Sequence, residues 1–160
     1  MTNKIIIDAW NVIWKIPSLS LHIPDKLEQA RSTFNMIIKN YYYGKKVDYK
    51  IIYDGQPFVY QKNENKDPQV SFACNPEKAD DVIVKFLKKQ SSPRDWTVIT
   101  SDRHLSHRVE NIGAQILTTE SFVVKINKPI KEQQVSGKKT DPQVKKEDIS
   151  YWLNKFESKE

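Results

Sequence analysis

Near its start the chain reads Lys4-Ile5-Ile6-Ile7-Asp8-Ala9-Trp10-Asn11-Val12-Ile13. A short unbroken apolar run of β-branched residues reads as a strand buried on both faces, the kind found at the centre of a parallel sheet. Asp8 ends that strand. A carboxylate where a central parallel strand gives out lies at the carboxyl edge of the sheet, where open α/β folds gather their ligand sites. Asn11 follows on the turn leading away. Taken alone, both side chains have a local explanation, since short polar residues often cap and support turns. Whether that suffices depends on whether the pattern recurs.

It recurs three times. After Ile16-Pro17-Ser18 closes the first turn, Pro24-Asp25 offers a start for a helix running to about residue 43. Leu27, Ala30, Phe34, Ile37, Ile38 and Tyr41 recur there at three- and four-residue steps, and Gly44 supplies a stop. Residues 47–53 form the next strand, closed by Asp54-Gly55, where glycine permits a tight turn. A polar loop over 56–68 leads to a third strand at 70–74 and then to Asn75-Pro76-Glu77-Lys78-Ala79-Asp80-Asp81. Asn75 as N-cap with Pro76 at the first helical position predicts a helix there, with Val82, Ile83, Phe86 and Leu87 on its core face. Asp80 borders that face and Asp81 lies about 100° round the helix; acids in a first turn also complement the helix dipole. A fourth strand, 96–100, runs into Ser101-Asp102-Arg103, where Ser101 or Asp102 can cap a helix over 103–111 that Gly113 ends. A fifth strand at 114–117 and a short helix at 122–126 complete the series.

This alternation predicts an α/β domain: an open, mostly parallel sheet of about five strands with helices on both faces. Its 160 residues suffice for one domain with a sizeable core. The boundaries expected are a domain over 1–126, a polar linker over 127–148 and a short amphipathic helix over 149–160 carrying Ile149, Trp152, Leu153 and Phe156. The single cysteine, Cys74, cannot form an internal disulfide, and no apolar run is long enough for a signal sequence or a membrane span, so a cytoplasmic location is expected. A net charge of +6 favours a polyanionic partner.

Asp8, Asp54, Asp80 or Asp81, and Asp102 would meet at one edge of such a sheet. Packed carboxylates repel, and a cluster of them is ordinarily tolerated because a divalent cation sits among them. With oxygen donors only and no cluster of zinc spacing, Mg²⁺ or Mn²⁺ is the cofactor expected. His104 and His107 share a helix face, but Arg103 and Arg108 beside them point to a solvated or phosphate-contacting surface.

These stretches together resemble the PIN-like ribonucleases of the NYN type, and within them the YacP-like branch. The residues that carry the resemblance are Ile5-Ile6-Ile7-Asp8-Ala9-Trp10-Asn11-Val12-Ile13, Tyr53-Asp54-Gly55, Lys78-Ala79-Asp80-Asp81-Val82-Ile83 and Val98-Ile99-Thr100-Ser101-Asp102-Arg103, in the family's order and over roughly residues 4–126. Each motif is weak alone; the ordered set is specific. The resemblance implies a PIN-like, Rossmannoid fold and a metal-dependent endoribonuclease, with Asp8, Asp80 and Asp102 as metal-site acids and Asn11 and Ser101 as polar supports. Asp81 flanks them and Asp54 is a secondary acid. One departure is Ala9, which stands where the family's opening motif has glycine and puts any role for a glycine backbone there in doubt.

Such a site would hydrolyse RNA to leave a 5′-phosphate and a 3′-hydroxyl, with Arg103, Arg108 and rim lysines holding the backbone without reading sequence. Single-stranded RNA is the substrate expected, because a narrow cleft admits one strand and exposed bases can stack on aromatics such as Trp10, Phe58 or Tyr60. Trp10 can be either core or a stacking platform, and core is the preferred reading. A different class stays open: an RNA- or ribosome-binding module with a weak or vestigial metal site. A phosphatase of doubly wound fold ranks below both, because Asp8-Ala9-Trp10 lacks a second acid two residues on.

Overall fold

The computed structural model describes residues 2–21, 23, 25–55, 67–74 and 76–128. Five parallel strands, β1 (Asn3–Asp8), β2 (Val47–Asp54), β3 (Val70–Ala73), β4 (Trp96–Ile99) and β5 (Gln115–Leu117), form one sheet in the order β3-β2-β1-β4-β5. The helices are α1 (Ala9–Ile13), α2 (Pro17–Ser20), α3 (Leu27–Tyr42), α4 (Ala79–Lys88), α5 (Arg103–Ile112) and α6 (Thr119–Asn127), with a 3₁₀ turn at Pro93–Asp95.

Alternation along each strand divides the apolar residues between two cores, as a side-chain period of two requires. Ile7, Tyr49, Ile51, Tyr53 and Ile99 face α1, α2, α3 and α6, with Phe34, Ile38 and Phe122 closing that layer. Ile6, Ile52, Val98 and Trp96 face α4 and α5, meeting Ile83, Leu87, Leu105 and Val109. Burying a side chain such as Ile6 or Ile7 contributes about 1.5–3 kcal/mol. A one-residue slip of β1 would exchange its two faces and lose most of that, so the register is well specified.

Most predicted elements lie within a residue or two of their expected bounds. The start of α4 differs. The Asn75-Pro76 signal points to a helix from residue 76, yet α4 begins at Ala79 with Lys78 at the N-cap position and no side-chain cap from it. The reason is tertiary: Asp54 at the end of β2 accepts a hydrogen bond from Ala79 N at 3.3 Å and fixes the first turn there. Pro17, expected only to end the first turn, also opens α2 at its first position. The short helix expected at 122–126 extends back to Thr119, capped by Thr118. Gly113 ends α5 in the left-handed region, φ +95°, a conformation that disfavours any side chain. Asn75, Phe58, Tyr60, most of the 127–148 linker and the whole 149–160 segment lie outside the described residues.

The strand order reverses between β1 and β4. A crevice opens at such a switch point outside the carboxyl ends of the strands, and Asp8 from β1 and Thr100-Ser101-Asp102 from β4 are the residues that flank it.

Candidate active site

Because Ile7 pairs with Ile99 across β1 and β4, the next residues, Asp8 and Thr100, stand side by side at the edge. Thr100 is fully buried and its Oγ1 donates to Asp8 Oδ2 at 3.0 Å. The same Oγ1 accepts from Asp102 N at 3.1 Å, so one hydroxyl links the Asp8 carboxylate to the backbone of Asp102. Asp8 occupies the N-cap position of α1 but makes no side-chain cap bond there. It is instead half-buried at the edge: desolvation pushes its pKa up, the Thr100 hydroxyl opposes that, and the negative charges of Asp80, Asp102 and Asp54 raise it further, to about 7.

Asp102 does cap α5. Its Oδ1 accepts from Leu105 N at 2.9 Å, the local role open to it from the sequence, while its charge still acts on Asp8. Asn11 Oδ1 accepts from Ser101 N at 2.9 Å and joins the turn after β1 to the turn after β4. Asp54 holds α4 through Ala79 N, and its carbonyl accepts from Trp10 Nε1 at 3.0 Å. Asp80 and Asp81 separate as their helical spacing requires. The charge of Asp80 acts on Asp8, whereas Asp81 Oδ1 accepts from Arg108 Nη2 at 2.9 Å on the other side of the first turn of α4. Arg108 holds the Asp81 carboxyl below the usual carboxylate range.

Trp10 is built into the fold. Its ring is half-buried, meets Tyr53 edge-on at 5.6 Å between centroids, and has the Arg31 guanidinium carbon 5.3 Å from its centroid. Arg31 is itself buried, lies within 5.5 Å of the Tyr53 and Phe72 ring centroids, and pairs with Glu28 at 2.7 Å. Ala9 is fully buried in the core beside α3, so the methyl group that replaces a hydrogen there is packed and does not face the crevice. Arg103, His104 and His107 are exposed on α5.

Three participants carried no signal when read along the chain. Thr100 looked like the last residue of a strand; the only hint was a hydroxyl directly before Ser101-Asp102. Glu120 lies in the first turn of α6, where its Oε2 accepts from Ser101 Oγ at 2.6 Å and its Oε1 meets Lys15 Nζ at 3.0 Å. The Ser101 hydroxyl foremost, then backbone and Lys15 contacts, lower the Glu120 carboxyl to about 2. Lys15 follows α1, far from both partners in sequence.

Among the described residues no three His, Cys, Asp or Glu side chains are gathered closely enough to form a ready cation cage. The donor set nevertheless fits a hard divalent cation in kind and in charge: all oxygen, with Asp8 carrying an excess of neighbouring negative charge that a cation would relieve.

The fold and the edge define an open, doubly wound α/β domain with acids from several elements directed toward its switch point. The chain belongs to the YacP-like NYN domain family, whose profile matches residues 5–160, a nuclease-like, RNA-processing family. That match includes the segment assigned above to linker and tail. Two crystal structures of Rae1 (YacP) from Bacillus subtilis are similar in fold. A single-substitution variant is 19% identical with a TM-score of 0.63, covering 77% of this chain and 73% of that one. The other is 18% identical with a TM-score of 0.56, covering 78% and 74%. No curated protein matches the chain.

Proposed function

We propose that the chain is a divalent-cation-dependent endoribonuclease acting on single-stranded RNA at the edge formed by β1, β4 and the starts of α4 and α5. The observation that carries this reading is Asp8: a half-buried carboxyl at a switch point, bonded to the buried Thr100 hydroxyl, whose proton is held to near neutral pH by desolvation and by three neighbouring acids. An RNA phosphate would be repelled from such an edge unless a cation neutralised it. Asp8, Asp80 and Asp102 would hold Mg²⁺ or Mn²⁺, with Asp54 as a secondary acid. Such an ion, when bound, supplies charge neutralisation at the phosphate and acidifies a coordinated water.

The chain's own residues set the geometry. Thr100 orients the Asp8 carboxylate and holds the Asp102 backbone, Leu105 N holds the Asp102 carboxylate, and Asn11 fixes the Ser101 backbone. Ser101 is in turn held between Thr119 N and Glu120. Arg103 and Arg108 supply backbone contacts that carry no sequence information. Hydrolysis in this arrangement leaves a 5′-phosphate and a 3′-hydroxyl. RNA presented in the cytoplasm, free or on a ribosome, is the substrate this implies; no helix among the described residues is long and apolar enough to cross a membrane.

The test is incubation of labelled single-stranded RNA with the parent, Asp8→Asn and Asp102→Asn in Mn²⁺ and in Mg²⁺. Cleavage by the parent that both variants lose supports the reading. That no three such acids gather into a ready cage among the described residues favours a binding-only module. Binding without product under either ion would decide for it.

A further inference from the structure

We propose that the groove between α4 and α5 is the track along which the RNA backbone leaves the acidic edge, and that Asp81 is the resident counterion of Arg108, displaced there by an RNA phosphate. The groove, about 280 Å³ in volume, is lined by Glu77, Asp81, Lys85, Lys88 and Arg108 over a floor that includes Val84. Only the identity of the polyanion rests on the ribonuclease reading; the groove's charge and its pairing do not.

Both helices follow strands of a parallel sheet, so both begin at the carboxyl edge and run away from it. Asp81, Lys85 and Lys88 are four and three residues apart and share one face of α4. At a rise of 1.5 Å per residue, Lys85 and Lys88 lie about 7 and 12 Å beyond Asp80, and Arg108 about 9 Å beyond Asp102. The cations therefore recede from the acidic edge together. A strand with one phosphate at that edge would lay the following phosphates over them.

Two of the cations are occupied by acids of the same groove. Arg108 Nη2 bonds Asp81 Oδ1 at 2.9 Å, and Lys85 pairs with Glu77. The Arg108 and Asp81 side chains are 32% and 41% exposed, so water screens the pair and its loss costs little. A phosphate offers the guanidinium a fork of acceptors at least as good as a carboxylate. The exchange is thus close to balanced in its contacts and is driven by release of the ions condensed on the RNA. Three cations in one groove would otherwise repel one another, and Asp81 and Glu77 keep them in place until the backbone arrives. This separates Asp81 from Asp80: neighbours in sequence, one serves the groove and the other the acidic edge.

The experiment is fluorescence anisotropy of labelled oligouridylate with the full chain, without divalent cations, across a salt series, for the parent, Asp81→Asn, Arg108→Ala, Lys88→Ala and Asp81→Asn/Arg108→Ala. Freeing Arg108 from an exposed ion pair should tighten binding roughly two- to five-fold in Asp81→Asn. Arg108→Ala and Lys88→Ala should weaken it, each flattening the dependence of log K on log salt by about 0.7. In the Arg108→Ala background the Asp81→Asn gain should shrink to the smaller part that comes through Lys85 and through direct repulsion of the phosphate, because most of it acts through the guanidinium. Binding no tighter in Asp81→Asn, or an equal gain with Arg108 absent, overturns the proposal. If the parent cleaves no RNA under any divalent cation, the ribonuclease reading fails while these binding outcomes still decide the groove.

Discussion

Replacing Asp8 with Asn should remove a pH-dependent penalty that the folded chain carries. The carboxyl has an ordinary value of 3.8 and rises to about 7 in the fold. Below 3.8 both folded and unfolded chains hold the proton, and Asp8 imposes no cost. Between 3.8 and 7 the unfolded chain gives the proton up while the folded one keeps it, so the folded state binds more protons and stability falls as pH rises. Above 7 both are ionised and the penalty is constant. A shift of about three units corresponds to about 4 kcal/mol, and solvent reaching the edge lowers that to about 2–4 kcal/mol. Asparagine keeps an oxygen for the Thr100 hydroxyl and carries no charge, so the Thr100 bond survives.

Urea unfolding followed by tryptophan fluorescence, in chelator, measures this directly. Near pH 4 the parent and Asp8→Asn should be similar in stability, and near pH 8 the variant should be about 2–4 kcal/mol more stable at an unchanged m-value. Adding Mn²⁺ at pH 8 should recover the difference in the parent, by about 2.7 kcal/mol at a hundred times the dissociation constant, and much less in the variant. Parallel stability curves for the two proteins across this pH range would refute the account of Asp8 as a desolvated, charge-crowded acid.

Asp54→Ala should cost up to about 1 kcal/mol in the same assay, since Ala79 N loses its partner. It should also bring the Asp8 titration to lower pH, readable by carboxyl chemical shifts. Gly113→Ala should destabilise the fold by about 1 kcal/mol because φ there is positive, although the nearest atom to the added methyl is 3.8 Å away. Glu120 has the opposite sign to Asp8: its lowered pKa gives stability present above 4.5 and lost as pH falls toward 2. Glu120→Gln should therefore flatten the acid-side decline between those values, and a decline as steep as the parent's would contradict the Ser101 and Lys15 contacts.

The sheet was legible because its signals are local and redundant. Ile5-Ile6-Ile7 and Val98-Ile99 are continuous apolar runs because both faces of β1 and β4 are covered, and each is followed by a helix of the right period. The edge was legible only in part. Asp8, Asp54, Asp80 and Asp102 each closed or followed a strand, so topology alone directs them toward one edge, and the charges of the other three do act on Asp8, although among the described residues no three of them gather closely enough to form a cation cage. Thr100, Glu120 and Lys15 could not be found in this way, since their roles exist only once β1, β4, α1 and α6 are brought together. The start of α4 failed for the same reason. Asn75-Pro76 is a strong nearest-neighbour signal, but the partner that fixes Ala79 comes from the end of β2, twenty-five residues away.

Capping and chemistry were competing explanations for these acids in the sequence, yet in the fold they share a location. The carboxyl edge of a parallel sheet is where the helix N-termini also gather, so an acid there can answer a helix's unpaired N–H groups, build a site, or do both. The partners of each carboxylate separate the roles. Asp102 gives an oxygen to Leu105 N, Asp54 gives one to Ala79 N, and Asp81 gives one to Arg108. Asp8 has a single hydroxyl, Thr100, against the charge of three other acids. Asp8 accepts one bond, as Asp54, Asp81 and Asp102 each do, so its number of donors does not set it apart; the opposition of desolvation and three neighbouring charges to its ionisation does, which makes Asp8 the position at which a cation and a proton would compete most directly.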